Sequence, residues 1–176
     1  MQLTRRHFLG LAAAATGAGA LALGAAGVTL STWWDQPVAP GFRHMSLEEA
    51  AFVRALAAAA FPSTPQVPFD AETAELDHFV DASMDSLAPE IRKALRALLH
   101  GLDAFTLPTH GAHLSALALA ERQAVLMGWL RSDNPELRGV GNMLTLILGM
   151  GYTTHPTVAP YFRAMHGCAF GREYGA

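Results

Sequence analysis

The sequence predicts an all-α fold, a compact bundle of five to six helices behind an N-terminal signal or anchor segment. Three observations predict it. After residue 45 every periodic stretch repeats its apolar residues at helical spacing, and none alternates as a strand would. Three helix starts are written in cap chemistry: Ser46 with Glu49, Pro89, and Asn134-Pro135. The stretches between the periodic segments carry the Pro and Gly that interrupt helices.

The chain divides into three parts: residues 1–34 as a signal or anchor, 35–45 as a linker marked by Pro37, Pro40 and Gly41, and 46–176 as the helical domain. The first helix begins at Ser46, whose hydroxyl caps the backbone while Glu49 reaches back. It stops at Phe61-Pro62. Only Glu48, Glu49 and Arg54 are charged in it, so it should be largely buried. A second helix is expected from about Asp70, carrying Leu76, Phe79, Val80, Ser83 and Leu87 inward. The third starts at Pro89, with a stripe of Ile91, Leu95, Leu98, Leu99, Leu102 and Phe105. Residues 106–115 read as loop. A fourth helix covers 117–131, with Val125, Leu126, Trp129 and Leu130 inward. The fifth follows the Asn134 cap and runs to about Met150, where Gly151-Tyr152-Thr153-Thr154-His155-Pro156 breaks it. A short sixth covers Val158 to Met165.

The N-terminus carries the most specific signal. Arg5 and Arg6 stand just ahead of Phe8 and Leu9, and no charge follows until Asp35. That is the pattern of a bacterial twin-arginine export signal, which serves proteins that cross the inner membrane already folded. Ala20-Leu21-Ala22 offers a small-x-small cleavage site. The uncharged run of residues 8–30 is also about the length of a membrane span, and Trp33 and Trp34 sit where an interfacial anchor would. Cleavage and retention as an anchor both remain open. The expected location is the periplasm, at the inner membrane.

Composition excludes several functions. Setting aside Arg5 and Arg6 leaves ten basic against fifteen acidic residues, which is no nucleic-acid surface. Cys168 is the sole cysteine, so an internal disulfide, a c-type haem and a protein-held iron–sulfur cluster are all ruled out. Gly-x-Ser-x-Gly, His-Glu-x-x-His and phosphate-loop motifs are missing. No catalytic, cofactor-binding or metal-ligating set is therefore assigned to this chain. A metal site could in principle draw on His110, His113, His155 and His166, but their spacing matches no metal motif.

Two stretches call for a role. Asp70, Glu72, Glu75, Asp77, Asp81 and Asp85 form an acidic segment, with no Lys or Arg between Arg54 and Arg92. Asp77, Asp81 and Asp85 share one helical face. The first reading is a solvated face eased by Arg92, Lys93 and Arg96, on which Asp77→Ala is nearly neutral. The others are a docking face for a basic partner and a calcium site. The second stretch is Gly149 to Tyr161. There Tyr152, His155 and Tyr161, set around Pro156 and Pro160, are expected to be exposed as a partner interface or packed as a C-terminal cap.

Taken in order, these segments resemble a known family. They are the twin-arginine leader; Met45-Ser46-Leu47-Glu48-Glu49-Ala50-Ala51-Phe52-Val53-Arg54-Ala55-Leu56 closing on Phe61-Pro62; Glu75-Leu76-Asp77-His78-Phe79-Val80-Asp81; Glu121-Arg122-Gln123-Ala124-Val125-Leu126; and Gly151 to Pro156. Over about residues 44–160 the chain is similar to the gluconate 2-dehydrogenase subunit 3 family. The resemblance implies a non-catalytic small subunit that escorts an FAD-dependent large subunit of the glucose–methanol–choline type through twin-arginine export. FAD would sit in that large subunit, and a multihaem cytochrome c would take the electrons onward. The rival readings are a membrane-tethered helical scaffold and an independent periplasmic metal protein.

Overall fold

The structure, a computed structural model, describes residues 36–166. Six helices build it: α1 (Leu47–Ala60), α2 (Leu76–Ser83), α3 (Pro89–Ala104), α4 (Leu119–Leu130), α5 (Pro135–Thr154) and α6 (Ala159–His166). One helical turn, Leu107–His110, and two 3-10 turns, Met84–Ser86 and Leu114–Ala116, join them. No strand occurs among the described residues. The all-α bundle predicted from the sequence is the fold observed.

α1 is the central helix. Its capping box forms as the residues dictate: Glu49 N–H donates to Ser46 Oγ at 3.3 Å, and Ser46 N–H donates to Glu49 Oε2 at 2.7 Å. Alanines fill much of its length, so α2, α3, α4 and the Leu114–Ala116 turn can all approach it closely. Phe52 and Leu56 are completely buried, and Met45, Leu76, Met84, Leu99 and Leu114 complete the core around them. α5 packs on α2 and α4, and α6 closes on α5.

Four boundaries differ from the sequence expectation, each for a local physical reason. α2 starts at Leu76, not near Asp70. Asp70 Oδ1 takes the Thr73 N–H at 2.8 Å and the Thr73 hydroxyl at 2.7 Å, which locks residues 71–75 into turns. Glu75 then sits in the left-handed region at φ +45°. α5 runs through Gly151 to Thr154, because Thr153 and Thr154 return their hydroxyls to the carbonyls of Gly149 and Met150. Pro156 ends it by disfavouring helical geometry at His155. Residues 36–45 are not a free linker. Ala39 N–H donates to Met45 O at 2.9 Å, Gly41 supplies a turn at φ +87°, and Met45 lies fully inside. Residues 106–115, read as loop, contain the Leu107–His110 turn and the start of the Leu114–Ala116 turn.

The α3 stripe is only partly inward. Leu99 and Leu102 are buried and Leu95 and Leu98 half-buried, while Ile91 and Phe105 are exposed. On α4, Leu126 and Trp129 are buried, and Val125 and Leu130 are partly covered against them.

Candidate functional site

The acidic segment corrects the first sequence reading. Asp81 is buried, and its carboxylate accepts three consecutive amides: Arg43 N–H at 2.7 Å, and His44 and Met45 N–H at 2.9 Å each. Asp85, one turn on, holds the Arg43 guanidinium and His44 Nε2, the latter at 2.7 Å. The His44 hydrogen bond and the Arg43 charge keep the Asp85 carboxyl below its ordinary range. Asp77 is buried too, and takes Arg54 Nε at 2.6 Å and its neighbour's His78 N–H at 2.9 Å. The Arg54 guanidinium lies 5.6 Å from the Phe42 ring centre. Asp77 and Asp81 are therefore neither a solvated face nor an open surface for a basic partner, while Asp85 stays exposed as it holds Arg43 and His44; together the three clamp residues 43–45 and α1 onto α2 and the turn that follows it. Two of the three cations expected to ease them, Arg92 and Arg96, are engaged elsewhere, and Lys93 is exposed. Arg92 donates to the carbonyls of Met84 and Leu87, and Arg96 points into the interior.

That interior holds a second cluster with no sequence signal beyond the capping box. Glu49 has no exposed side-chain surface, and Arg96 Nε bridges its two oxygens at 2.8 and 3.0 Å. His100 Nε2 lies 3.1 Å from Glu49 Oε1, and Arg96 Nη2 donates to Gln36 O at 2.8 Å. Burial pushes the Glu49 carboxyl up. The hydrogen bonds from His100, the Ser46 amide and Arg96 outweigh it, so the group ends below its ordinary value. A third cluster centres on Asp103, which takes the Ser115 amide at 2.8 Å, the Ser115 hydroxyl at 3.1 Å and His113 Nδ1 at 3.1 Å. His110 bonds Thr109 Oγ1 at 2.8 Å. No group of three or more potential metal ligands occurs among the described residues.

The C-terminal aromatics are brought together, but not as expected. Tyr152 is buried: it stacks on Phe61 with ring centres 4.7 Å apart and donates its hydroxyl to Phe69 O at 2.5 Å. Burial, helped by the negative charge of Asp70, raises its phenol above the ordinary value. Of the two readings of Tyr152, an exposed interface ring or a ring packed as a C-terminal cap, the structure shows the packed one, and its place as an interface residue is corrected to the core. Tyr161 is half-buried; it sets its ring edge against Phe69 at 5.6 Å and gives its hydroxyl to Gln66 O. Both tyrosines pin the proline-rich loop between α1 and α2. His155 alone of the three opens onto a cleft.

That cleft, about 310 Å³, lies between the start of α2 and the end of α5. Glu75, His78, Phe79, Gly151, Thr154 and His155 line it. Gly151 forms its floor because nothing larger fits. A Cβ there would lie 2.5 Å from Phe79 Cδ1 and 3.1 Å from Leu76 Cδ2.

The leader residues Arg5, Arg6, Phe8 and Leu9, the 8–30 segment, Cys168 and the His166 side chain lie outside what the structure describes. Among the described residues no helix is long and apolar enough to cross a membrane.

A small helical domain of this kind hosts many functions, so its class is set by its relatives and not by its fold. The chain is a member of the gluconate 2-dehydrogenase subunit 3 family, whose model matches residues 47–162. It belongs with the accessory, non-catalytic subunits of a dehydrogenase complex, which implies a dehydrogenase partner. No curated protein and no solved structure matches the chain.

Proposed function

We propose that this chain escorts a folded FAD-dependent alcohol or sugar dehydrogenase of the glucose–methanol–choline type out of the cytoplasm and stabilises it in the periplasm. The observation that carries the reading is the pairing of an accessory-subunit domain over residues 47–162 with Arg5-Arg6-His7-Phe8-Leu9 ahead of it. The arginine pair engages the twin-arginine translocase, and the folded partner travels as passenger. The domain supplies a stable platform, its loops tied down by Asp77, Asp81, Asp103 and Glu49. FAD is held by the large subunit, and a multihaem cytochrome c receives the electrons. The complex works at the inner membrane, with residues 8–30 as the tether where the leader is retained.

The test is cell fractionation with Arg5 and Arg6 both changed to Lys. The chain and the dehydrogenase activity of its partner are expected to remain together in the cytoplasm. A partner that reaches the periplasm at the wild-type level without this leader overturns the escort role.

A further inference from the structure

The outer face of α5 is chemically unusual. From Gly139 to Thr154 this helix carries no charged residue. Its inner face buries Val140, Leu144, Leu148 and Tyr152. Its outer face leaves Met143 40%, Leu146 64% and Met150 56% exposed. Spacings of three and four residues place these side chains on one stripe, with Gly139 at one end and Thr154 at the other. At 1.5 Å per residue the stripe is about 22 Å long. The solvent face of a globular helix ordinarily carries charge, and a bare apolar stripe marks a contact surface. Methionines at two of its three large positions let it adapt to the opposing shape.

The stripe runs into the cleft, since Thr154 belongs to both. The cleft is electronegative for two reasons. The carboxyl end of the twenty-residue α5 points its last carbonyls that way. Glu75 adds a carboxylate that makes no side-chain hydrogen bond or ion pair among the described residues, unlike Asp77, Asp81 and Asp85 after it. The turns before α2 hold Glu75 there despite its positive φ. Of the two imidazoles beside it, His155 spends its Nδ1 on the Thr157 N–H at 3.3 Å, and His78 can offer a ring nitrogen as acceptor when neutral. At about 310 Å³ the cleft is at the lower limit for a small-molecule site, and suits the end of one long side chain.

We infer that the α5 stripe and the Glu75 cleft together form the seat of the dehydrogenase subunit, and that the partner presents an apolar face flanked by an arginine or lysine that enters the cleft. The inference rests on the accessory-subunit reading. A second copy of this chain is the rival occupant, because an antiparallel pairing centred on Leu146 would bring Arg138 to the neighbour's Thr154. Three side chains on one helix fall short of the roughly 800 Å² per partner that a stable interface buries. They suffice only as part of a larger contact with a different surface.

The test is affinity capture of the dehydrogenase subunit by the full-length chain, both co-expressed, with a thermal melt and a sedimentation run on each variant. Leu146→Asp and Glu75→Arg are each expected to weaken capture about tenfold or more without moving the melt. Ala124→Asp, the same charge placed on the exposed side of α4, should capture as wild type does. If Leu146→Asp lowers the melt, Leu146→Gln takes its place with the same expectation. Wild-type capture by Leu146→Asp or Glu75→Arg overturns this surface and leaves the accessory role standing. A wild-type chain that captures no dehydrogenase at all overturns the accessory role itself. An isolated chain that sediments as a dimer, and as a monomer with Leu146→Asp, assigns the stripe to a second copy and overturns the inference.

Discussion

Arg96 and Glu49 meet inside the bundle, Nε to Oε1 at 2.8 Å, although forty-seven positions separate them in sequence. The pair ties α3 to the first turn of α1 and, through Gln36 O, to the chain entering the domain. Removing Arg96 strands a buried carboxylate. Arg96→Ala should therefore cost about 3–5 kcal/mol by denaturant unfolding. Arg96→Lys should recover only part of that, because an ammonium cannot reach both Glu49 oxygens and Gln36 O in the same geometry.

Acid should unfold the domain partly through the same carboxylate. Glu49 titrates below its ordinary value of 4.5 in the folded state. Its contribution is therefore complete above that value and is lost as the pH falls through the lower folded one. The urea midpoint of wild type should drop in that acid window, and Glu49→Gln should flatten the drop while lowering the midpoint at neutral pH. An unchanged acid limb in Glu49→Gln would remove this carboxylate from the account.

Asp77 and Asp81 should behave as buried anchors. Asp77→Ala leaves Arg54 Nε and the His78 amide without their acceptor, and about 1–3 kcal/mol is the expected loss. Asp81→Ala abandons three amides at once and should cost more than Asp77→Ala. Melts of the two variants, compared side by side, check both the sign and the order.

Gly151→Ala and Gly101→Ala should move stability in opposite directions. Both glycines lie inside helices, where alanine is intrinsically better by about 1 kcal/mol. At Gly101 the added methyl meets nothing within 4 Å, so the gain is kept. At Gly151 it would strike the Phe79 ring at 2.5 Å, and overpacking of this kind costs about 1–3 kcal/mol. Paired thermal melts decide it.

Tyr152 should report on the core. Tyr152→Phe loses the hydrogen bond to Phe69 O and about 1 kcal/mol, while keeping the stack on Phe61. Tyr152→Ala removes a buried ring between Phe61 and Phe162 and should cost about 3–5 kcal/mol. A Tyr152→Ala domain that melts like wild type would return this ring to the surface.

The sequence by itself determined the helical class, the start of α1 at Ser46 and the starts of α3 and α5 at Pro89 and Asn134-Pro135. These follow from local chemistry: a hydroxyl or amide within three residues of an unpaired N–H, a ring that fixes φ, a period of 3.6. It also carried the family, because the resemblance rests on short runs such as Glu75–Asp81 that are read directly from the residue order. Tertiary structure alone decided which charges are buried and which face of each helix is free. Helical spacing puts Asp77, Asp81 and Asp85 on one face, but says nothing of the Arg43, His44 and Met45 amides and the Arg54 side chain that meet them there. Tyr152 looked available because Gly151 to Pro156 read as a break in the helix. Gly151 is instead the contact that lets α5 press against Phe79, and that closeness draws Tyr152 inward. The stripe of Met143, Leu146 and Met150 was hidden for the opposite reason. An uncharged helix reads as core from its composition, and only the packing of the other helices shows which side of it they leave exposed among the described residues.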